Sequence, residues 1–244
     1  MRHPCAITVL LLGAVGATLP LSGENQQAVQ ISNTERVDFL PGGTIRINGS
    51  YGYLVVEGWD QPAVEIMVTK SLPHPGGSKT KDQDRLEGVH VAINRNSATE
   101  LTMSTTLPSR HGDWFPFMPP SKTGGVATEY EIHVPRDTRL AIQSHAGYVF
   151  VNGVSGDIEA SVPRGDIMLM LRDSGTYSID AKTKFGAVSS DFDGDVLGRY
   201  LVGQQFARHL TSPSQHLYLR TSFGGITIKA VPPEGEAPAL VGKK

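Results

Sequence analysis

The chain has 244 residues, of which 39% are hydrophobic and 19% charged, and its formal net charge is −2. This length suits one large domain or two small ones, and the composition excludes wholesale disorder. Basic residues are scattered along the chain, so the sequence lacks the electrostatic footprint of a nucleic-acid-binding protein.

The first 23 residues have the parts of a secretory signal peptide. Arg2 precedes an apolar run from Ala6 to Val15, and small residues end at Ala17. We expect cleavage at or shortly after this point, and therefore an exported protein of the periplasm, the cell surface or the medium. An uncleaved anchor is the alternative, although the run is short for a bilayer span. The only cysteine, Cys5, lies in this segment, so the mature chain would contain no disulfide.

Alternating apolar and polar residues predict a single all-β domain over residues 37–231. A polar lead, residues 24–36, precedes it, and a disordered tail, residues 232–244, is expected to follow it. Proline, glycine and charged residues interrupt the pattern at 72–86 and 107–125, and predict two surface loops there.

Two further segments depart from simple alternation. Ile167–Leu171 is apolar at every position, which predicts a strand covered on both faces. Leu197–Leu210 has apolar residues that fit a short amphipathic helix, but Gly198 and Gly203 disfavour a helix. We expect irregular structure or a short helix in this second segment.

One short phrase recurs through the chain: a glycine, a small or polar residue, then an aliphatic residue. In the centre it begins at Gly147, Gly156, Gly165, Gly186 and Gly194, and the first three are nine residues apart. The same phrase begins at Gly43, Gly52 and Gly224 nearer the two ends. A glycine at each return indicates a backbone that needs positive φ or leaves no space for a side chain.

If each spacing of nine residues is half of one coil, a full coil has roughly 18 to 21 residues. Fixed periods of this size are typical of stacked repeat architectures. A single coil cannot bury its apolar face, whereas a stack of coils can. The sequence therefore predicts a β-solenoid, similar to a parallel β-helix. An antiparallel β-sandwich with glycine-rich hairpins is the alternative.

The second interruption carries four large apolar side chains among prolines and glycines: Trp114, Phe115, Phe117 and Met118. Loops of this composition usually lie on the surface. These side chains therefore predict an apolar contact for a partner, with Arg110, His111 and Lys122 around it. The alternative is a loop that folds back and caps one end of the stack.

The repeat phrases resemble a known family. Residues 42–70, 130–171 and 217–228 are similar to the bacterial DUF4097 putative-adhesin family, which is related to head-GIN domains of envelope proteins. The resemblance spans about Asp38–Ala230 and is most specific in Val134–Leu171. It implies a solenoid-like all-β fold on exported or membrane-tethered proteins, and it brings no catalytic residues.

Acidic residues are the only candidates for chemistry. Asp191–Asp195 is similar to the start of a calcium loop but lacks the glutamate that an EF-hand has at its twelfth position. Asp157 and Asp166 could lie on one face, as the paired carboxylates of a β-helical carbohydrate-active enzyme do. Turn residues that hydrogen-bond to the backbone are the favoured interpretation of both sets. We expect no cofactor, no metal site and no enzymatic activity.

The sequence thus predicts a non-catalytic binding or scaffold module of the cell envelope. Its partner would be an envelope protein or a glycan. The carbohydrate-active enzyme is the first alternative, and a purely structural envelope protein without a ligand is the second.

Overall fold

The structure is a computed structural model that describes residues 29–74, 78–107, 125–173, 175–198 and 203–232. Within these residues it contains 16 strands and one helix. The first strands are β1 (Val29–Asp38), β2 (Thr44–Asn48), β3 (Tyr51–Trp59), β4 (Ala63–Leu72), β5 (His90–Arg95), β6 (Glu100–Thr106), β7 (Ala127–Pro135) and β8 (Arg139–Gln143). The remaining strands are β9 (Ala146–Asn152), β10 (Ile158–Arg172), β11 (Tyr177–Phe185), β12 (Val188–Ser190), β13 (Asp195–Gly198), β14 (Gln204–Arg208), β15 (Gln215–Phe223) and β16 (Ile226–Val231). The helix is α1 (Lys79–Glu87). The prediction of an all-β chain is confirmed.

The strands form one curled, mixed sheet, which the long strand β10 divides into two parts. The part that we call sheet A has the strand order β1-β4-β7-β3-β9-β10-β16-β12. The part that we call sheet B has the order β5-β6-β2-β8-β10-β15-β11-β14-β13. Central neighbours pair in parallel, whereas antiparallel pairs occur at the outer strands.

The parallel register places successive copies of the glycine phrase side by side. β9 pairs with β10 so that Val149 lies beside Ile167, and β8 pairs with β10 so that Leu140 lies beside Ile158; each pair is 18 positions apart. Copies of the phrase that are nine residues apart therefore alternate between the two sheets. The phrase at Gly156 leads into sheet B, and the phrases at Gly147 and Gly165 lie in sheet A.

Five of the phrase glycines form a continuous row, which we call the glycine ladder: Gly52, Gly147, Gly165, Gly224 and Gly186. All five have positive φ. A Cβ on any of the last four would overlap the carbonyl oxygen of the glycine before it in the ladder. Positive φ and lack of space, the two roles predicted for these glycines, therefore apply together.

The aliphatic residues of most phrases, together with Leu140 of β8 and Leu217 of β15, point into the core, whereas Val196 of the phrase at Gly194 is 57% exposed. Ile45, Leu140, Ile158 and Leu217 do so from sheet B, while Leu54, Val149, Ile167 and Ile226 do so from sheet A, and each is at most 2% exposed. They belong to one hydrophobic cluster that extends through the whole described domain. Burial of this apolar surface is the main force that holds the two sheets together.

The first expected loop, residues 72–86, contains most of helix α1. Its segment is rich in lysine, arginine, glutamine and glutamate, which are good helix formers. Leu86 anchors the helix in a small second cluster with Leu72, Val89 and Val126. The ammonium group of Lys70 donates to the carbonyl oxygens of Leu86 (3.3 Å) and Val89 (2.6 Å) at the helix end.

Two further segments differ from expectation. β1 begins at Val29, inside the expected polar lead. The expectation of irregular structure or a short helix over Leu197–Leu210 is wrong for the described residues, because β13 and β14 pair there in antiparallel. Phe206 is buried, with 3% exposure, and fixes β14 against the core. Gly203 has φ +91°, which accommodates the close approach to β11. No helix among the described residues has the length and apolar character to cross a membrane.

Candidate binding surface

The contact predicted from the second loop lies outside the described residues. This applies to Trp114, Phe115, Phe117 and Met118, and to the neighbouring Arg110, His111 and Lys122. Their role as a binding site or as a cap therefore stays a prediction. The expected signal peptide, residues 1–23, is likewise outside the described part of the chain, so it stays a prediction.

Asp157 and Asp166 each bind the backbone of a neighbouring strand. Asp157 accepts a hydrogen bond from the N–H of His216 (2.8 Å), in sheet B. Asp166 accepts one from the N–H of Gly225 (2.6 Å), in sheet A. Asp157 directly precedes β10 and Asp166 lies within it, so the two carboxylates are at separate places, and each satisfies a different backbone donor.

Asp191 has a similar structural role at a third place. Its carboxylate accepts hydrogen bonds from the ammonium group of Lys229 (3.0 Å) and the N–H of Ala230 (3.2 Å). The bond from Lys229 lowers the pKa of Asp191 below its ordinary value. Ala230 is five residues along β16 from Gly225, or about 16 Å. The described residues contain no group of three or more acidic, histidine or cysteine side chains arranged to hold a metal ion.

A row of apolar side chains faces outward from sheet A. We call Tyr53, Val55, Tyr148, Phe150 and Met168 the outer apolar patch. They lie on β3, β9 and β10, with Tyr53 beside Tyr148, and Val55, Phe150 and Met168 side by side. Side chains of a strand alternate between faces, so the intervening Leu54, Val149 and Ile167 fill the core. The result is a continuous apolar surface across three consecutive parallel strands.

Contacts between neighbours order this patch. The rings of Tyr53 and Tyr148 lie 6.2 Å apart at an interplanar angle of 55°. The hydroxyl of Tyr148 donates to the sulfur of Met168 (2.9 Å). Burial, and secondarily the nearby Asp166, raises the pKa of Tyr148. Tyr53 is the most accessible member, with 62% exposure.

Acidic side chains border the patch on the side of β7. Glu129 lies beside Tyr53 and Glu131 beside Val55. A depression of about 270 Å³ opens there and is lined by Val55, Glu57, Glu131, Ile132 and His133. The imidazole of His133 lies 3.6 Å from the carboxylate of Glu57. An apolar centre with a polar border is the general composition of protein binding surfaces.

One sequence feature, the apolar run in the second half of β10, coincides with this patch. The unbroken apolar run Ile167–Leu171 predicted a strand covered on both faces. In the structure its outward residues, Met168 and Met170, are only half-buried. Similar runs at Leu54–Val56 and Tyr148–Val151 lie beside it. Apolar outward positions on adjacent strands are therefore the feature that marks the patch.

Comparisons with known proteins give distant matches only. No protein-family model matches the chain, and no curated protein matches it significantly. One similar solved structure is a putative cell adhesion protein from Clostridium sporogenes ATCC 15579, with 14% identity and a TM-score of 0.45 over 82% of this chain and 100% of that one. A putative adhesin from Bacteroides fragilis NCTC 9343 has 11% identity and a TM-score of 0.26 over 82% and 97%.

A third match is a putative lipid binding protein from Parabacteroides distasonis ATCC 8503, with 10% identity and a TM-score of 0.22 over 65% of this chain and 70% of that one. Identity is at most 14% and the TM-score at most 0.45 in these three matches. The functional conclusions below therefore rest on the residues of this chain alone.

Proposed function

We propose that the chain is an exported, non-catalytic binding module of the bacterial cell envelope, similar to an adhesin, which holds an envelope protein or glycan on its outer apolar patch. The observation that carries this proposal is the patch itself. Five apolar side chains face outward together on β3, β9 and β10. Contiguous apolar surface with a polar border is typical of interaction sites on soluble domains.

The scaffold suits this role. We infer that the 18-position register and the glycine ladder reflect a solenoid-like stack of coils, in which backbone packs directly on backbone. Such a stack holds Tyr53, Phe150 and Met168 in fixed relative positions. A partner then binds with little additional ordering of the protein, which favours affinity.

Export and family membership are parts of the same proposal. The charged, apolar and small-residue segments of the first 23 residues support export. The resemblance of Val134–Leu171 to the DUF4097 family supports the adhesin-like role. In the structure this stretch comprises the end of β7 and all of β8, β9 and β10, so the motifs that resemble the family include two of the strands that carry the patch.

We further propose that Trp114, Phe115, Phe117 and Met118 contribute a second contact. Their loop leads directly into β7, which pairs with β3 so that Glu129 lies beside Tyr53. The chain therefore continues from this loop into the border of the patch.

The carboxylates do not favour the enzymatic alternative. Asp157, Asp166 and Asp191 each bind a different backbone donor. A glycosidase needs two carboxyl groups on either side of one bond, at most about 10 Å apart.

The test is a capture experiment with envelope extract and culture supernatant on the immobilised mature chain. One variant, Tyr53→Ser with Phe150→Ser, removes the patch. Another, Trp114→Ser with Phe115→Ser and Phe117→Ser, removes the loop contact. Leu40→Ser is the matched control, because Leu40 is an exposed apolar residue (54%) outside the patch.

Circular dichroism and thermal melting would verify that each variant is folded. We expect the wild type and Leu40→Ser to retain the same protein or glycan, and the folded patch variant to lose it. Loss in the loop variant as well would support the second contact. Undiminished capture by the patch variant would overturn the proposed site, and a wild type that retains nothing would favour a purely structural protein.

A further inference from the structure

A second surface lies on the outward face of sheet B, where β10, β15 and β11 run side by side. A groove of about 370 Å³ is lined there by Ser161, Pro163, Lys182, Lys184, Arg220 and Ser222. We call it the basic groove, because every charged side chain that lines it is cationic. It is formed by strands of sheet B, whereas the outer apolar patch lies on sheet A.

The strand register concentrates the positive charge. Lys182 lies beside Arg220 in the parallel pair of β11 and β15, and neighbouring strands are about 4.8 Å apart. Lys184 follows two residues later on the same face, about 6.6 Å along the strand. Like charges on adjacent strand positions destabilise a sheet. A groove that keeps them together is therefore suited to an anionic ligand.

Lys182 and Lys184 form no ion pair among the described residues, whereas contacts with Asp180 and Tyr218 hold Arg220 in place. Arg220 donates to the backbone oxygen of Asp180 (2.8 Å), pairs with its carboxylate, and lies over the ring of Tyr218 at 3.7 Å. The nearest unpaired carboxylate by register is Glu159, which lies beside Tyr218 and outside the groove lining.

An exposed aromatic pair lies at the ends of β11 and β15, beyond the groove lining. The rings of Phe185 and Phe223 stack 5.0 Å apart at 12°, and they are 53% and 55% exposed. Each follows directly after a lining residue, Lys184 or Ser222. Arg164, on β10, is exposed beside Phe223 in the register and adds a further cation.

We propose that the basic groove binds an acidic polysaccharide. Its carboxylate or sulfate groups would interact with the two lysines and Arg220, and its hydroxyl groups with Ser161 and Ser222. Charge-assisted hydrogen bonds would supply much of the affinity. The proposal concerns a different face from the outer apolar patch, and either site can exist without the other.

Other polyanions fit these features less well. A concave groove does not match a flat bilayer surface. Nucleic-acid-binding proteins commonly neutralise about six to ten phosphates, whereas this groove offers three cations with Arg164 beside it. Hydroxyl groups and closely spaced cations in one concave groove match a charged sugar chain.

The test uses the mature chain and calorimetric titration with polygalacturonate and dextran sulfate. Uncharged dextran is the control ligand. Phosphatidylglycerol–phosphatidylcholine vesicles and a single-stranded DNA oligonucleotide are the competing probes. The key variant is Lys182→Gln with Lys184→Gln. Its matched control is Lys79→Gln with Lys81→Gln, which removes the same charge from the exposed face of α1.

We expect polyanion binding that weakens with added salt, and a loss of about tenfold or more in the groove variant. The α1 control and the patch variant Tyr53→Ser with Phe150→Ser should bind as the wild type does. Phe185→Ala, which changes an exposed residue outside the groove lining, should also bind as the wild type does. Equal losses in the groove and control variants, no binding of either polysaccharide, or tighter binding of vesicles or DNA would each overturn the proposal.

Discussion

Gly165 lies directly beside Gly147 in the parallel pairing of β9 and β10, and a Cβ on Gly165 would overlap the carbonyl oxygen of Gly147. Gly165 also has φ +134°, a conformation that residues with a side chain rarely adopt. Neither feature depends on the surface of the protein. The glycine ladder is therefore a requirement of the fold, and it explains why the phrase recurs.

Gly165→Ala tests this requirement. We expect it to lower the free energy of unfolding by at least about 3 kcal/mol, because backbone strain and steric overlap add. Urea denaturation would measure the change. Gly225→Ala is the matched control, since a Cβ there meets its nearest atoms at 3.5 and 3.6 Å, ordinary contact distances. If the two variants were equally stable, glycine at position 165 would not be a requirement of the fold.

Asp157→Ala and Asp166→Ala test the structural role of the two carboxylates. Each change removes the acceptor of one backbone N–H, so each should cost about 1 kcal/mol. The two bonds lie in different sheets, and the double variant should therefore show the sum of the single effects. Thermal melting of the four proteins would give the values. A coupling well above 0.5 kcal/mol would contradict the independence of the two hydrogen bonds.

Tyr130 gives the protein a sensitivity to alkaline pH. It is fully buried, its hydroxyl lies 3.0 Å from the Thr105 hydroxyl, and burial raises its pKa above the ordinary 10.0. The contribution of Tyr130 to the free energy of unfolding is fully present below pH 10.0. It falls as pH rises through the higher folded-state pKa, because the tyrosine ionises first in the unfolded chain.

Tyr130→Phe should therefore cost about 1 kcal/mol at pH 7, through the lost hydrogen bond. The difference in stability from the wild type should shrink above pH 10. Urea denaturation of both proteins at several pH values would follow it. A difference that is constant from pH 7 to pH 11 would contradict the burial-induced shift.

Asp191 should make the stability of the protein depend on pH in the acidic range. The hydrogen bond from Lys229 lowers its pKa below the ordinary value of 3.8. Its stabilisation is therefore present above that value and is lost as pH falls through the lower folded-state pKa. The side chain is 38% exposed, so screening keeps the contribution of the pair below about 1 kcal/mol.

Asp191→Asn should be slightly less stable than the wild type at pH 7 and equally stable near pH 2. Melting temperatures at both pH values would measure this. If the variant were destabilised by the same amount at both values, the interaction with Lys229 would not be electrostatic.

Local patterns in the sequence predict most of the strands and the role of the glycines, but not β1, β13 and β14. The aliphatic residue of each phrase alternates with outward neighbours, so the inward positions of Val149 and Ile167 follow from a two-residue period. The requirement for glycine at Gly147 and Gly165 follows from the spacing of the returns. The two-residue period is local to one strand, whereas the glycine requirement is visible in the sequence because the phrase recurs at a fixed spacing.

The two proposed surfaces could not be predicted in the same way, because they depend on which strands become neighbours. Tyr53 and Tyr148 are far apart in the chain and meet only through the pairing of β3 with β9. Lys182 and Arg220 likewise meet only through β11 and β15. No local pattern specifies these pairings. Helix α1 does not follow from the sequence for a different reason: the prolines and glycines at 73–77 and the charged run after them have the composition of a solvated loop.

The most direct measurement is hydroxyl-radical footprinting of the mature chain, free and bound to its captured envelope partner, with mass spectrometry of the labelled residues. We predict that binding protects Tyr53, Tyr148 and Met168. Leu40, which is exposed outside the patch, should be labelled equally in both states, and Met103, which is fully buried, should be labelled in neither. Unchanged labelling of the three patch residues in the bound state would contradict the assignment of the outer apolar patch as the binding surface.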